Sequence, residues 1–140
     1  MTLPAVNYLA VLVAGIVIFV LGGLWYSPVL FAKRWMALMG KSEAELKAAA
    51  AGTPVALLYF LAFLSGLVIA WAMAVVLNHF APVTLGRAAA VGFLCWLGFA
   101  APTSFATAIF SQTPKGLWLI NSGYNAVSFV AAALLLGAWR

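Results

Sequence analysis

The chain has 140 residues, of which 67% are hydrophobic and 6% are charged, and its formal net charge is +5 at pH 7. Because a water-soluble domain carries about 25% charged residues, this composition excludes a soluble fold. The basic residues are scattered at the ends of apolar stretches and form no patch with interleaved aromatic side chains, so the positive charge does not indicate nucleic-acid binding.

Four apolar stretches fill nearly all of the sequence, and each has about the 20 residues that an α-helix needs to cross a hydrocarbon core about 30 Å thick. Runs such as Ala131–Leu136 lack the apolar–polar alternation of barrel strands. We therefore predict an all-α integral membrane protein, an antiparallel bundle of four transmembrane helices forming a single membrane domain. The predicted spans are residues 5–28, 54–79, 85–111 and 116–139. No basic region precedes the first span and no small-residue cleavage site follows it, so we expect it to be retained.

The segment 29–53 is the one sizeable loop, and we expect it to be cytoplasmic with amphipathic helices. Apolar side chains recur at helical spacing from Phe31 to Met39, which favours a short helix lying in the membrane interface. Gly40 can end that helix in the left-handed conformation. Ser42 and Glu45 have the spacing of a capping box, which predicts a second short helix over residues 43–51.

The third span contains Pro102 near its middle. A proline removes one backbone hydrogen bond and frees a carbonyl one turn earlier, near Gly98. The sequence therefore predicts a kink there.

Orientation is predicted from the distribution of Lys and Arg. Five basic residues fall on the side of the first and third loops, whereas Arg87 and Arg140 fall on the other side. We therefore expect those loops to be cytoplasmic and both termini to lie outside. The five are Lys33, Arg34, Lys41, Lys47 and Lys115.

No Asp, Glu, Lys, Arg or His lies deep in any span, and both acids, Glu43 and Glu45, lie in the first loop. Proton-coupled carriers usually keep an intramembrane carboxylate. One His, one Cys and two loop carboxylates cannot form a zinc or di-iron site. We therefore expect no enzymatic activity, no metal site and no cofactor.

Uncharged polar residues concentrate in the half of the spans that the predicted orientation places next to the cytoplasm. Asn121 and Asn125 share a face of the fourth span, and Thr103 and Thr107 share a face of the third. Two interpretations stay open: these side chains bond helix to helix, or they line a polar cavity open to the cytoplasm. The candidate pocket residues are Trp25, Tyr26, Ser27, Thr103, Thr107, Asn121, Tyr124 and Asn125.

Small residues recur every four positions along the second span. Such a stripe lets two helix backbones approach closely, either inside one bundle or between subunits. The stripe consists of Ala62, Gly66, Ala70 and Ala74.

Two segments carry a family resemblance. LGGLWYSPVLFAKRWMALMGKSEAEL, residues 21–46, and LWLINSGYNAVSFVAAALLLGAWR, residues 117–140, resemble a bacterial membrane family catalogued as domain of unknown function 1761. The resemblance implies a four-helix protein of the bacterial inner membrane with no assigned activity. It also draws attention to the Trp25-Tyr26-Ser27-Pro28 motif, Asn121 and Tyr124.

Our leading hypothesis is a small non-enzymatic inner-membrane protein that self-associates and offers a cytoplasm-facing polar pocket. The pocket would serve transport or binding of a small molecule or lipid headgroup. The alternative is a structural accessory subunit of a larger membrane protein complex, for which the absence of ionisable groups in the membrane and the small-residue stripe argue. In either case the partners would be the lipid bilayer and other membrane chains, with no nucleic acid.

Overall fold

A computed structural model describes residues 2–80 and 83–140. Helices account for most of this part of the chain, and it contains no strand. The helices are α1 (Tyr8–Trp25), α2 (Ala32–Met39), α3 (Glu43–Ala49), α4 (Val55–Asn78), α5 (Leu85–Cys95), a π-helical segment (Trp96–Ala100), α6 (Ala101–Phe110) and α7 (Lys115–Ala138).

Four of these helices are long and apolar enough to cross a membrane, which confirms this part of the predicted fold. They are α1 with 18 residues, α4 with 24, the continuous helix Leu85–Phe110 with 26, and α7 with 24. The first begins later than predicted because the Asn7 side chain caps it, accepting a hydrogen bond from the Ala10 N–H at 3.1 Å.

The third long helix is irregular one turn before Pro102. Residues Trp96–Ala100 form a π-helical turn, in which the Ala101 N–H donates to the Trp96 carbonyl five residues earlier. Such single-turn insertions accommodate a locally disturbed hydrogen-bond ladder without ending the helix. The predicted disturbance therefore takes the form of a π segment that joins α5 to α6.

The first loop contains both short helices. Gly40 ends α2 with φ of 68°, in the left-handed region, and the Ser42 hydroxyl accepts from the Glu45 N–H at 3.2 Å to begin α3. Helix α2 lies against the bundle, because a Cβ added to Gly116 of α7 would lie 3.1 Å from Leu38.

The core lies around α7, which packs against α1, α4 and α5. Small side chains dominate it and bring the backbones close together: a Cβ added to Gly92 of α5 would lie 2.7 Å from the Phe129 carbonyl oxygen of α7. The small-residue stripe of α4 is divided, since Gly66, Ala70 and Ala74 are buried whereas Ala62 is exposed. Gly66 packs against Gly15 and Ile18 of α1.

The helices make different contacts at the two ends of the bundle. At one end the Asn78 amide donates to the Ala5 carbonyl at 2.6 Å, and the Arg140 guanidinium donates to the Leu77 carbonyl at 2.7 Å. The start of α1, the end of α4 and the end of α7 therefore lie together. At the other end α6 packs mainly against α7 and leaves a polar cleft beside it.

Candidate polar cavity between α6 and α7

Polar side chains of α6 and α7 face each other across a cavity of about 280 Å³. The cavity lies in the half of the bundle where α1 ends and α7 begins. Its lining consists of Ser104, Thr107, Ala108, Ser111, Thr113, Trp118, Asn121, Ser122 and Asn125.

The α6 wall presents hydroxyl oxygens as acceptors. Ser104 donates to the Ala101 carbonyl at 3.0 Å, and Thr107 donates to the Thr103 carbonyl at 3.1 Å. A hydroxyl has one proton and two acceptor lone pairs. Because these protons already form hydrogen bonds within the helix, the α6 wall presents oxygen lone pairs that can accept hydrogen bonds from a bound molecule.

The α7 wall holds polar groups that find no partner within the described chain. Ser122 is 3% exposed, and its buried hydroxyl makes no hydrogen bond to any described residue. The half-buried Asn125 amide lines the same cavity, and no side-chain hydrogen bond among residues 2–80 and 83–140 involves it. An amide has two donor protons and an acceptor oxygen, so this wall can both donate and accept.

Trp118 closes one side of the cavity. Its Nε1 donates to the Ser104 hydroxyl at 3.1 Å, and its ring packs edge-on against Phe105 with the centroids 5.1 Å apart. The indole thereby ties α7 to α6 next to the cavity.

Asn121 connects this cavity with a second one. Its Oδ1 accepts from the Tyr26 hydroxyl at 2.8 Å, and its Nδ2 makes no hydrogen bond to any residue that the structure describes. A neighbouring cavity of about 340 Å³ lies between Asn121, Tyr26 and α2. The Asn121 amide therefore lines both cavities.

Trp25 and Tyr124 join α1 to α7. The Trp25 Nε1 donates to the Ile120 carbonyl at 2.9 Å, and the Tyr124 hydroxyl donates to the Ile18 carbonyl at 2.9 Å. Gly22 provides the space for this contact, because a Cβ there would lie 2.9 Å from the Tyr124 oxygen. These two side chains therefore form hydrogen bonds between α1 and α7.

The candidate residues from the sequence therefore separate into groups. Thr107, Asn121 and Asn125 meet in the cavity, and Tyr26 reaches it through Asn121. Ser27 bonds to the Leu24 carbonyl at 2.7 Å, and the exposed Thr103 bonds to carbonyls of its own helix.

The structure adds lining residues that the sequence reading did not place in the pocket, chiefly Ser122 and Trp118. A signal for both was present: residues 118, 122 and 125 have the i, i+4, i+7 spacing of one helix face. Ser128 of the same helix is 1% exposed and lies outside the cavity.

Comparison with known proteins gives one match. No curated protein and no solved structure matches the chain. A family model matches residues 9–137, which is nearly the whole length, and it confirms the resemblance seen in the sequence. The chain therefore belongs to the family described as protein of unknown function (DUF1761).

Proposed function

We propose that this is a non-enzymatic multi-pass protein of the bacterial inner membrane, built as an antiparallel four-helix bundle, whose α6–α7 cavity binds a small neutral polar molecule or an uncharged polar lipid headgroup. Four helices of membrane-spanning length support the first part of the proposal. The distribution of Lys and Arg supports an orientation with both termini outside and the cavity open toward the cytoplasm. Helix α2, with Lys33 and Arg34 exposed, would lie in the cytoplasmic interface.

The observation that carries the binding role is the unpartnered Ser122 hydroxyl, which is buried in the wall of a polar-lined cavity. A buried polar group without a hydrogen bond costs about 1–3 kcal/mol. A guest that bonds to Ser122 and Asn125 removes this cost.

Bonding between helices does not account for these two residues. It does account for Trp25, Tyr26 and Tyr124, whose polar atoms reach the neighbouring helix directly. Ser122 and Asn125 reach no neighbour within the described chain, although α6 lies opposite them.

The lining also defines the guest. It contains hydroxyls, amides and one indole but no ionisable side chain. A charged guest at this depth would have no counter-ion, which is costly in a membrane. The guest is therefore a neutral group with both hydrogen-bond donors and acceptors, and its size is limited by the volume of about 280 Å³.

Native mass spectrometry of the gently extracted protein tests this role. We expect the wild type to carry an additional bound mass that Ser122→Ala and Asn125→Leu lose. Ser128→Ala is the matched control, because Ser128 is an equally buried serine of the same helix outside the cavity. A wild type without bound mass, or a mass that all three variants retain, would contradict the proposal.

We further propose that the protein self-associates. The outward surface of the third long helix is broadly apolar, with Leu94 62% and Phe99 73% exposed, and either lipid or a second copy can cover it. Mild crosslinking in native membranes tests this point, with a ladder of homo-oligomers as the expected result. Co-purification of unrelated chains in place of that ladder would favour the alternative role as an accessory subunit.

A further inference from the structure

A second, larger groove lies on the other side of the contact between α6 and α7. Its volume is about 540 Å³, and it shares only Ala108, Thr113 and Trp118 with the polar cavity. The remaining lining residues are Phe105, Ile109, Gln112, Lys115 and Leu119.

The walls of this groove are apolar and open to the surroundings. Phe105, Ile109 and Leu119 are 47%, 56% and 62% exposed. The α6 wall extends from Phe105 to Ile109, which is about 6 Å along a helix. An apolar chain lying in the groove could therefore contact it over about one helical turn.

The end of the groove at the α6–α7 turn is polar and carries an unpaired positive charge. Lys115 begins α7, and Gln112 and Thr113 line the groove beside it. Within residues 2–80 and 83–140 the one ion pair is that between Glu43 and Lys47, so no carboxylate neutralises Lys115 there.

We propose that this groove binds one anionic phospholipid, with the headgroup phosphate at Lys115 and Gln112 and part of an acyl chain between Phe105, Ile109 and Leu119. The charge of Lys115 complements a phosphate, and the Gln112 amide supplies further donors. The apolar walls complement the acyl chain. The site is independent of the neutral guest proposed for the polar cavity.

Other occupants fit the groove less well. A free phosphate would use Lys115 but would gain nothing from the exposed apolar walls. A second copy of the chain would have to supply an acid, and the two acids in the sequence are Glu43, which already pairs with Lys47, and Glu45. A phospholipid supplies the anion and the apolar chain in one molecule.

The test compares retention of phosphatidylglycerol and phosphatidylcholine by native mass spectrometry after extraction from mixed vesicles. We expect Lys115→Gln to lower the phosphatidylglycerol preference at least tenfold, because a hydrogen bond to a charged group contributes about 1.5 kcal/mol or more, which exceeds the ≈1 kcal/mol of a basic residue that only faces an anionic surface. Lys33→Gln on α2 is the matched control and should have a clearly smaller effect. Equal effects of the two variants would indicate diffuse attraction to the leaflet and would overturn the site.

Two further variants separate the headgroup from the chain. Gln112 has φ of 56°, in the left-handed region, so Gln112→Gly removes the amide while relieving the backbone; we expect lower phosphatidylglycerol retention from a protein at least as stable. Leu119→Trp should fill the groove and reduce retention, whereas Leu134→Trp, at a position outside the groove, should not.

The proposal fails if Gln112→Gly leaves the lipid preference unchanged. It fails equally if inorganic phosphate displaces the lipid, because the apolar walls would then contribute nothing.

Discussion

At the scale of single residues, two kinds of polar side chain are separated in this bundle. The aromatic ones, Trp25, Tyr26 and Tyr124, donate across to a neighbouring helix. The small hydroxyls of α6 donate to carbonyls of their own helix instead. Because a long aromatic side chain can span the gap between helices, it can connect them, whereas Ser and Thr leave their lone pairs facing the cavity. This separation is what gives the α6–α7 cavity its polar character.

The contribution of one connecting bond can be measured at Tyr26. Tyr26→Phe removes the donor to Asn121 and leaves that amide oxygen without its partner, so we expect a loss of stability of about 0.6 kcal/mol, the average for such bonds in membranes. Thermal unfolding in detergent measures the change. Tyr59→Phe is the control, since Tyr59 is 60% exposed and makes no side-chain hydrogen bond among the described residues. A Tyr59 variant destabilised as strongly as the Tyr26 variant would contradict this role.

At the scale of helices, close approach determines which pairs form the core. Gly92 lets α5 lie directly on the α7 backbone, and Gly66 lets α4 lie on α1. Helix α6, which follows the π segment, has no comparable glycine contact with α7 and is held there chiefly by the Trp118 contacts. The gap that remains between α6 and α7 is the polar cavity.

The close α5–α7 contact predicts a sharp difference between two glycines of α5. Gly92→Ala would place a Cβ 2.7 Å from both the Phe129 oxygen and the Ala133 Cβ, so the helices must separate. Such overpacking typically costs about 1–3 kcal/mol, and the melting temperature should fall. Gly86→Ala is the matched control because nothing lies within 4 Å of its added Cβ. Equal melting temperatures for the two variants would show that α5 and α7 are not in close contact.

The short helix α3 provides a pH-dependent prediction. The Lys47 ammonium donates to the Glu43 carboxylate at 2.9 Å and lowers the pKa of that carboxyl below its ordinary value of 4.5. A lowered folded-state pKa means that the pair stabilises α3 fully above the unfolded pKa and less as the pH falls through the folded one. We expect Lys47→Gln to raise the Glu43 pKa back toward 4.5, as followed by carboxyl NMR. The shift should also shrink with added salt because both groups are exposed; a titration unaffected by the substitution would exclude the pair as its cause.

Sequence alone could predict the helices but only part of the cavity. The length of the apolar stretches defines the four long helices, and the Ser42–Glu45 spacing places the start of α3. Residue spacing also puts Asn121 and Asn125 on one face. It could not say which helix lies opposite, since Tyr26 meets Asn121 from 95 positions away.

The hydroxyl row of α6 shows a second limit of the sequence reading. Four residues advance a helix by about 400°, so positions four apart drift by about 40° per step. From residue 103 to residue 111 this drift reaches about 80°. Accordingly Thr107 and Ser111 line the cavity whereas Thr103 does not.

At the scale of the whole molecule, the two chain ends lie at the same end of the bundle. Asn78 at the end of α4 bonds to the Ala5 carbonyl and also accepts from the Arg140 guanidinium at 3.0 Å. One residue of the second span thus holds both terminal segments. Because four helices alternate in direction in the proposed bundle, the first loop, which contains Lys41, and the start of α7 at Lys115 lie at the opposite end.

This arrangement makes the membrane topology testable with single cysteines. In a Cys95→Ala background, we expect Thr2→Cys and Arg140→Cys to react with a membrane-impermeant thiol reagent on intact spheroplasts, because both termini are proposed to be outside. Lys41→Cys should react only after lysis. The physical reason is that most Lys and Arg residues lie on the side of the first and third loops. The side richer in Lys and Arg is oriented toward the cytoplasm. If the termini react only after lysis, the orientation is the reverse of the one proposed. The α6–α7 cavity and the groove next to Lys115 then lie on the side of the outer leaflet. Termini that differ from each other would contradict an even number of spans and hence the bundle itself.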